Sequence, residues 1–127
     1  MRYKTIATIA ASLTFLNAIL FLVFPEFSLA LLERPTNPIG VLNTRISGAC
    51  ALGLGTMTWL FRSAKSADVQ RVVCVANLTT FGILVFVDFH GLMVSAVNEL
   101  GWLIFLADLM LFLGFLAIIY TSRGEWQ

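Results

Sequence analysis

The sequence predicts an all-α protein: a four-transmembrane-helix antiparallel bundle with both termini cytoplasmic. Three observations carry this. First, 59% of the 127 residues are hydrophobic and only 12% are charged, against roughly 45–50% and about 25% in soluble domains. A chain this short has too much surface for its volume to hide so much apolar material from water, so lipid is its natural solvent. Second, the apolar residues fall into four runs, 5–24, 41–61, 72–92 and 100–120. Each has the roughly 20 residues a helix needs to cross a hydrocarbon core about 30 Å thick. Third, the connections between runs are short, which makes successive helices antiparallel neighbours. Residues 1–127 read as a single integral membrane domain, without internal repeats or low-complexity tracts.

The first run, 5–24, is stopped by Pro25, which cannot continue a helical ladder. MRYK, the apolar run and then Ser28-Leu29-Ala30 share the outline of a secretory signal. The run exceeds the roughly 7–15 apolar residues of such signals, and its removal would leave the termini on opposite sides, so an uncleaved first helix is expected. EFSLALLERP follows, and Pro35 ends it; a brief interfacial helix or loop on the outer surface fits. The second run, 41–61, contains SGACALGLGT from Ser47 to Thr56. Ser47, Ala51 and Gly55 recur at four-residue spacing, as do Ala49 and Gly53. Small residues at that spacing let backbones approach closely, which places this helix at the centre of the bundle. The same face suits a protein partner or a second copy of the chain. The third run is 72–92, and the fourth, 100–120, carries LIFLADLMLFLGF with one carboxylate, Asp108, inside it.

Basic residues set the orientation. Arg2 and Lys4 precede the first run, Arg62, Lys65 and Arg71 fill the loop between the second and third, and Arg123 follows the fourth. All lie on one side if both termini are cytoplasmic, as the positive-inside rule requires. The other side keeps Arg34, with Arg45 just inside the second run. Tyr3, Trp59, Tyr120 and Trp126 then fall near the cytoplasmic interface as an aromatic belt.

Polar groups inside spans are expensive and face the protein interior, so they are the functional candidates. At 1.5 Å per residue, Arg45 and Asp88 each lie roughly 6 Å in from the outer ends of adjacent antiparallel runs, which predicts an Arg45–Asp88 ion pair. Asp108 lies roughly 12 Å below the outer end of its run and Asn17 roughly 18 Å above the inner end of the first. These depths coincide, so Asn17 is the expected hydrogen-bond partner of Asp108, with Thr14 and Ser47 as weaker candidates. Asn77 is the next polar group deeper in the membrane. The candidate intramembrane polar site is therefore Asp108, Asn17, Arg45 and Asp88. Glu99 is half a helical rotation from Asp108, which argues against two carboxylates on one face of the last helix. His90 reads as an interfacial residue.

Cys50 and Cys74 fall at different depths in apolar runs and read as small buried hydrophobes rather than a disulfide. With one histidine and no Cys/His spacing, no metal ligands, haem or other cofactors are expected. No serine-hydrolase elbow, zinc-protease or nucleotide-binding motif is present, so no catalytic residues are assigned and an enzyme is not expected. A net charge of +1 gives no reason to expect nucleic acid. The lipid bilayer is the partner.

TRISGACALGLGTMTWLFR, residues 44–62, and VNELGW, residues 97–102, carry a resemblance. They resemble a set of small bacterial four-helix membrane proteins of unknown function, loosely DoxX-like. In these an Arg-x-x-Gly-Ala-x-x-x-Gly-x-Gly helix precedes a basic loop and an Asn-x-x-Gly-Trp step opens the last helix. Arg45, Gly48, Ala49, Gly53 and Gly55 match the first motif, and Asn98, Gly101 and Trp102 the second. The resemblance implies a multi-pass protein of the bacterial inner membrane. DoxX relatives are associated with quinone chemistry, but no residue set here transfers it. The leading expectation is a non-catalytic accessory or scaffold subunit of a membrane complex. The alternative is a small transporter or lipophilic-ligand binder using Asp108 in the membrane.

Overall fold

The computed structural model describes residues 2–122. Among these the chain is helical, without strands: α1 (Arg2–Val23), α2 (Pro25–Leu31), α3 (Pro38–Phe61), α4 (Ala67–Met93) and α5 (Leu100–Thr121). Three helices are long and apolar enough to cross a membrane, over Tyr3–Val23, Ala67–Met93 and Leu100–Thr121. α3 has the length, at 24 residues. Its first half carries Asn43, Thr44, Arg45 and Ser47, which dilute its apolar character.

Prolines and caps set the breaks. Pro25 closes α1 and opens α2, because it lacks an N–H but its fixed φ suits a first helical position. The Ser28 hydroxyl donates across this break to the Leu20 and Phe24 carbonyls, at 3.1 and 3.0 Å. Pro38 opens α3 behind Asn37, whose side chain accepts from the Gly40 N–H at 2.7 Å. α2 and α4 end alike. Glu33 and Ser95 take left-handed φ values of 55° and 53°. The next N–H groups, of Arg34 and Ala96, then donate back to Leu29 and Gly91 at 2.8 Å, which is the Schellman closure.

The tightest packing is within two antiparallel pairs, α1 with α3 and α4 with α5. Gly48 of α3 receives Phe21 and Leu22 of α1, and Gly55 receives Phe15. In the second pair Phe81 stacks on Phe115 with ring centroids 6.2 Å apart, and Phe89 meets Phe105 at 5.9 Å. We call the end that carries Tyr3 and the α3–α4 loop inner, and the opposite end outer. The pairs join chiefly in the inner half. There Tyr3, Ala7 and Ala10 of α1 share a core with Val73, Cys74 and Phe81 of α4 and Leu111, Phe115 and Ile118 of α5. A polar clasp lies beside it: the Asn77 amide donates to the Thr58 hydroxyl at 2.9 Å and to the Val73 carbonyl at 2.9 Å. Both side chains are fully buried, so the bond ties α3 to α4 where no water competes.

Two expectations change. The centre of the assembly is α1, where Ala7, Ala10, Ala11 and Ala18 expose nothing, and not the helix with the glycines. A helix flanked by two neighbours needs small residues over a wide face, and these alanines recur at helical period. The glycines of α3 divide instead: Gly48 and Gly55 pack on α1, while Ala49 and Gly53 are exposed and a Cβ at Gly53 would meet nothing within 4 Å. Tyr3 is also no belt residue. It is buried, and its hydroxyl donates to the Phe61 carbonyl at 3.0 Å, pinning the start of α1 to the end of α3. Trp59 and Tyr120 are exposed, with the Arg62 guanidinium 3.6 Å over the Trp59 ring. Arg123 and Trp126 lie outside the described residues. Neither cysteine is in a disulfide; Cys74 is buried and Cys50 exposed.

Candidate functional site

The register of α4 against α5 builds the site. The pairs Phe81–Phe115 and Phe89–Phe105 lie along one antiparallel seam, and the same seam sets Asp88 of α4 opposite Asp108 of α5. Their carboxyl groups lie close enough to act on each other. Asp108 is 8% exposed. Asp88 is half-buried, and its Oδ2 is sealed from solvent and accepts no hydrogen bond. Two ionised carboxylates this close in a low dielectric would repel strongly. The cation whose charge reaches Asp88 is Arg34.

Arg34 also lines a cleft of about 380 Å³ at the outer end. The end of α1 supplies Phe21, α2 supplies Ser28 and Leu29, and the first turns of α3 supply Ile39, Asn43 and Thr44. Local geometry shapes it. The left-handed Glu33 turns the chain out of α2 and fixes the Arg34 backbone at the cleft. Gly40 lets the loop close on α3, since a Cβ there would stand 2.9 Å from the Pro35 carbonyl oxygen. On the neighbouring surface, the Asn98 amide donates to the Leu31 carbonyl at 2.9 Å, joining the α4–α5 loop to α2.

Of the four residues singled out from sequence, the structure brings Asp88 and Asp108 together and separates the other two. Arg45 is exposed on α3, and the charges that act on Asp88 are Asp108 and Arg34. Asn17 is exposed on α1, so the expected bond to Asp108 is absent. The reason is azimuth rather than depth. α1 meets α5 through its alanine face and through Ile6, which lies against Gly114. Asn17 is about 100° around the helix from buried Ala18. Thr14 and Ser47 are no partners either; their hydroxyls donate to the Ala10 and Asn43 carbonyls of their own helices, at 2.7 and 3.0 Å. Asn77 is occupied by Thr58, a clasp partner that sequence reasoning missed. The Asp88–Asp108 pair was also missed, although its signal was present. Counting outward at equal pace from the short α4–α5 loop brings 88 and 108 level within a turn.

His90 and Glu99 are exposed at the outer end. No group of three or more His, Cys, Asp or Glu among the described residues is placed to hold a metal ion. Comparison with protein-family models, with curated proteins and with solved structures gives no match.

Proposed function

We propose that the protein is a small membrane-embedded ligand binder or carrier whose Asp88–Asp108 pair exchanges a proton during its cycle. The observation that supports this reading is that the α4–α5 register sets buried Asp108 opposite Asp88, whose Oδ2 is sealed from solvent without a partner. A lone intramembrane aspartate is most simply a structural clasp. A second carboxylate beside it, with an unsatisfied oxygen, is a poor clasp but a good place to take up and release a proton. The scaffold reading draws its support from the open Ala49–Gly53 face of α3, which suits close approach by a partner helix or a second copy.

In this reading α3 is the fourth span. It runs antiparallel to α1 along its length, and its polar first half lies at the outer interface and cleft. The protein is then multi-pass, with both termini in the cytoplasm, and the motif resemblance is what suggests a bacterial inner membrane and a place near the DoxX-like proteins.

Infrared difference spectroscopy of the protein in lipid tests the pair. At neutral pH the native chain should show a protonated carboxyl C=O band that disappears in Asp108→Asn and shifts in Asp88→Asn. No such band would mean two ionised groups and would end the proposal. Native mass spectrometry after gentle extraction addresses the scaffold reading: a stoichiometric protein partner would favour it, and a single chain carrying a small molecule would favour the binder.

A further inference from the structure

We infer that α3 and α4 part toward the outer end and enclose a water-filled vestibule leading from the outer surface to Asp88, so that the carboxyl pair meets water from the outer side alone. As the route to a proton-exchanging pair it rests on the reading above; the opening itself rests on helical register.

The register starts from a contact. At the inner end the Asn77 amide of α4 meets the Thr58 hydroxyl of α3 at 2.9 Å, and both side chains are fully buried. Eleven residues make about three whole turns, so residues that far apart share a helix face. Eleven residues outward from Thr58 along α3 stands Ser47, and eleven outward from Asn77 along α4 stands Asp88. The helices are antiparallel, so these two are level. They do not close the seam as Thr58 and Asn77 do: Ser47 is exposed and Asp88 only half-buried. Gly91 lies about four turns outward from Asn77 on the same side, and a Cβ there would meet nothing within 4 Å. The other seam between the hairpins parts likewise. Gly114 of α5 lies against Ile6 of α1, whereas Leu103, eleven residues outward, is 68% exposed.

The lining decides what fills the opening. The cleft at the outer end belongs to its α3 wall: Gly40, Thr44 and Ser47 line that cleft and stand about five, four and three turns outward from Thr58. The Thr44 and Ser47 hydroxyls donate to carbonyls of their own helix and keep lone pairs that water can use. Asp88 stands in the facing wall. Polar groups at membrane depth are placed against protein or water rather than lipid tails. The opposite face of α4 shows the contrast: Phe86, half a rotation from Asn77, is apolar and 79% exposed, as a lipid contact should be. Asp88 is roughly 8 Å in from the outer end of α4. On its inner side the Thr58–Asn77 bond and the core fill the space between the hairpins. The route to water is therefore short outward and blocked inward.

The test is the reaction rate of single cysteines with a trimethylammonium-ethyl methanethiosulfonate, a charged reagent that needs a thiolate in water. Cys50 and Cys74 are first replaced by alanine, and folding is verified by circular dichroism and elution. Ser47→Cys and Gly91→Cys probe the two walls, Phe86→Cys and Ile83→Cys the lipid-facing side of α4, and Thr36→Cys the outer loop. Ser47 is exposed and Gly91 has open space beside it, so both variants should fold. In intact cells and in inverted membrane vesicles, both wall cysteines should react within about tenfold of Thr36→Cys, and from the same side as it. Phe86→Cys and Ile83→Cys should be at least a hundredfold slower than Thr36→Cys. Wall cysteines no faster than Phe86→Cys overturn the vestibule, as does reaction at one wall alone or from the opposite side to Thr36→Cys. Reactive walls in a chain without a protonated carboxyl band would keep the vestibule and end the proton-exchange reading; a band with unreactive walls would do the reverse.

Discussion

Asp108 and Asn17 stand at similar depths in the sequence, yet one is buried against another carboxyl and the other is exposed. Their substitutions should part company. Asn17→Leu should leave folding and the protonated carboxyl band unchanged, because it removes a polar group from an exposed face. Asp108→Asn should fold, since an amide can still meet Asp88, but should lose the protonated carboxyl band; an unaltered band would remove Asp108 from the site. A second residue-scale prediction concerns Ser95, whose left-handed φ of 53° closes α4. That conformation costs a non-glycine residue roughly 1–2 kcal/mol. Ser95→Gly should therefore stabilise the fold by about 1 kcal/mol, measured by reversible unfolding in mixed micelles. Composition revealed which residues were out of place in lipid. It did not reveal their partners, because depth along a helix is legible from residue counting while azimuth depends on which neighbours the helix acquires. The Arg45–Asp88 pair failed for that reason, and the Asn17–Asp108 bond with it.

The elements themselves were legible to within a few residues, including the brief helix after Pro25, because prolines and apolar run lengths govern them. Their ranking was not. Glycines at four-residue spacing drew attention to α3, but the buried alanines of α1 make it the central helix. The two kinds of α3 glycine should respond oppositely. Gly48→Val places a Cβ 2.9 Å from Leu22 Cγ and Phe21 Cβ and should destabilise by about 1–3 kcal/mol, as overpacking does. Gly53→Ala meets open space and should be neutral or stabilising by up to about 1 kcal/mol. If it instead shifts the oligomeric state, the exposed face is an interface. The Thr58–Asn77 clasp should show a coupling of about 0.6–1.7 kcal/mol in a double-mutant cycle with Thr58→Val and Asn77→Leu. No coupling would mean that the clasp adds nothing to the contact between α3 and α4.

At the scale of the molecule, the all-helical, membrane-embedded character followed directly from composition, because no soluble arrangement could cover so much apolar surface. The proposed orientation makes a clear prediction. With Cys50 and Cys74 replaced by serine, a cysteine at Thr36 should react with a membrane-impermeant maleimide from outside intact cells, and one at Ser66 only after lysis. The reverse pattern would invert the topology, and labelling of both from one side would remove α3 as a span.

The pairing of α1 with α3 and of α4 with α5 has a consequence for how the protein could be divided. Each hairpin keeps its tightest packing to itself, and the two meet through the Thr58–Asn77 clasp and the inner core. Residues 1–63 and 64–127, made as two separate polypeptides in one cell, should each insert and then find each other through the Thr58–Asn77 bond and the aromatic core. Reconstitution from halves would show that the covalent link between them is dispensable, and that the seam between the hairpins is itself a recognition surface.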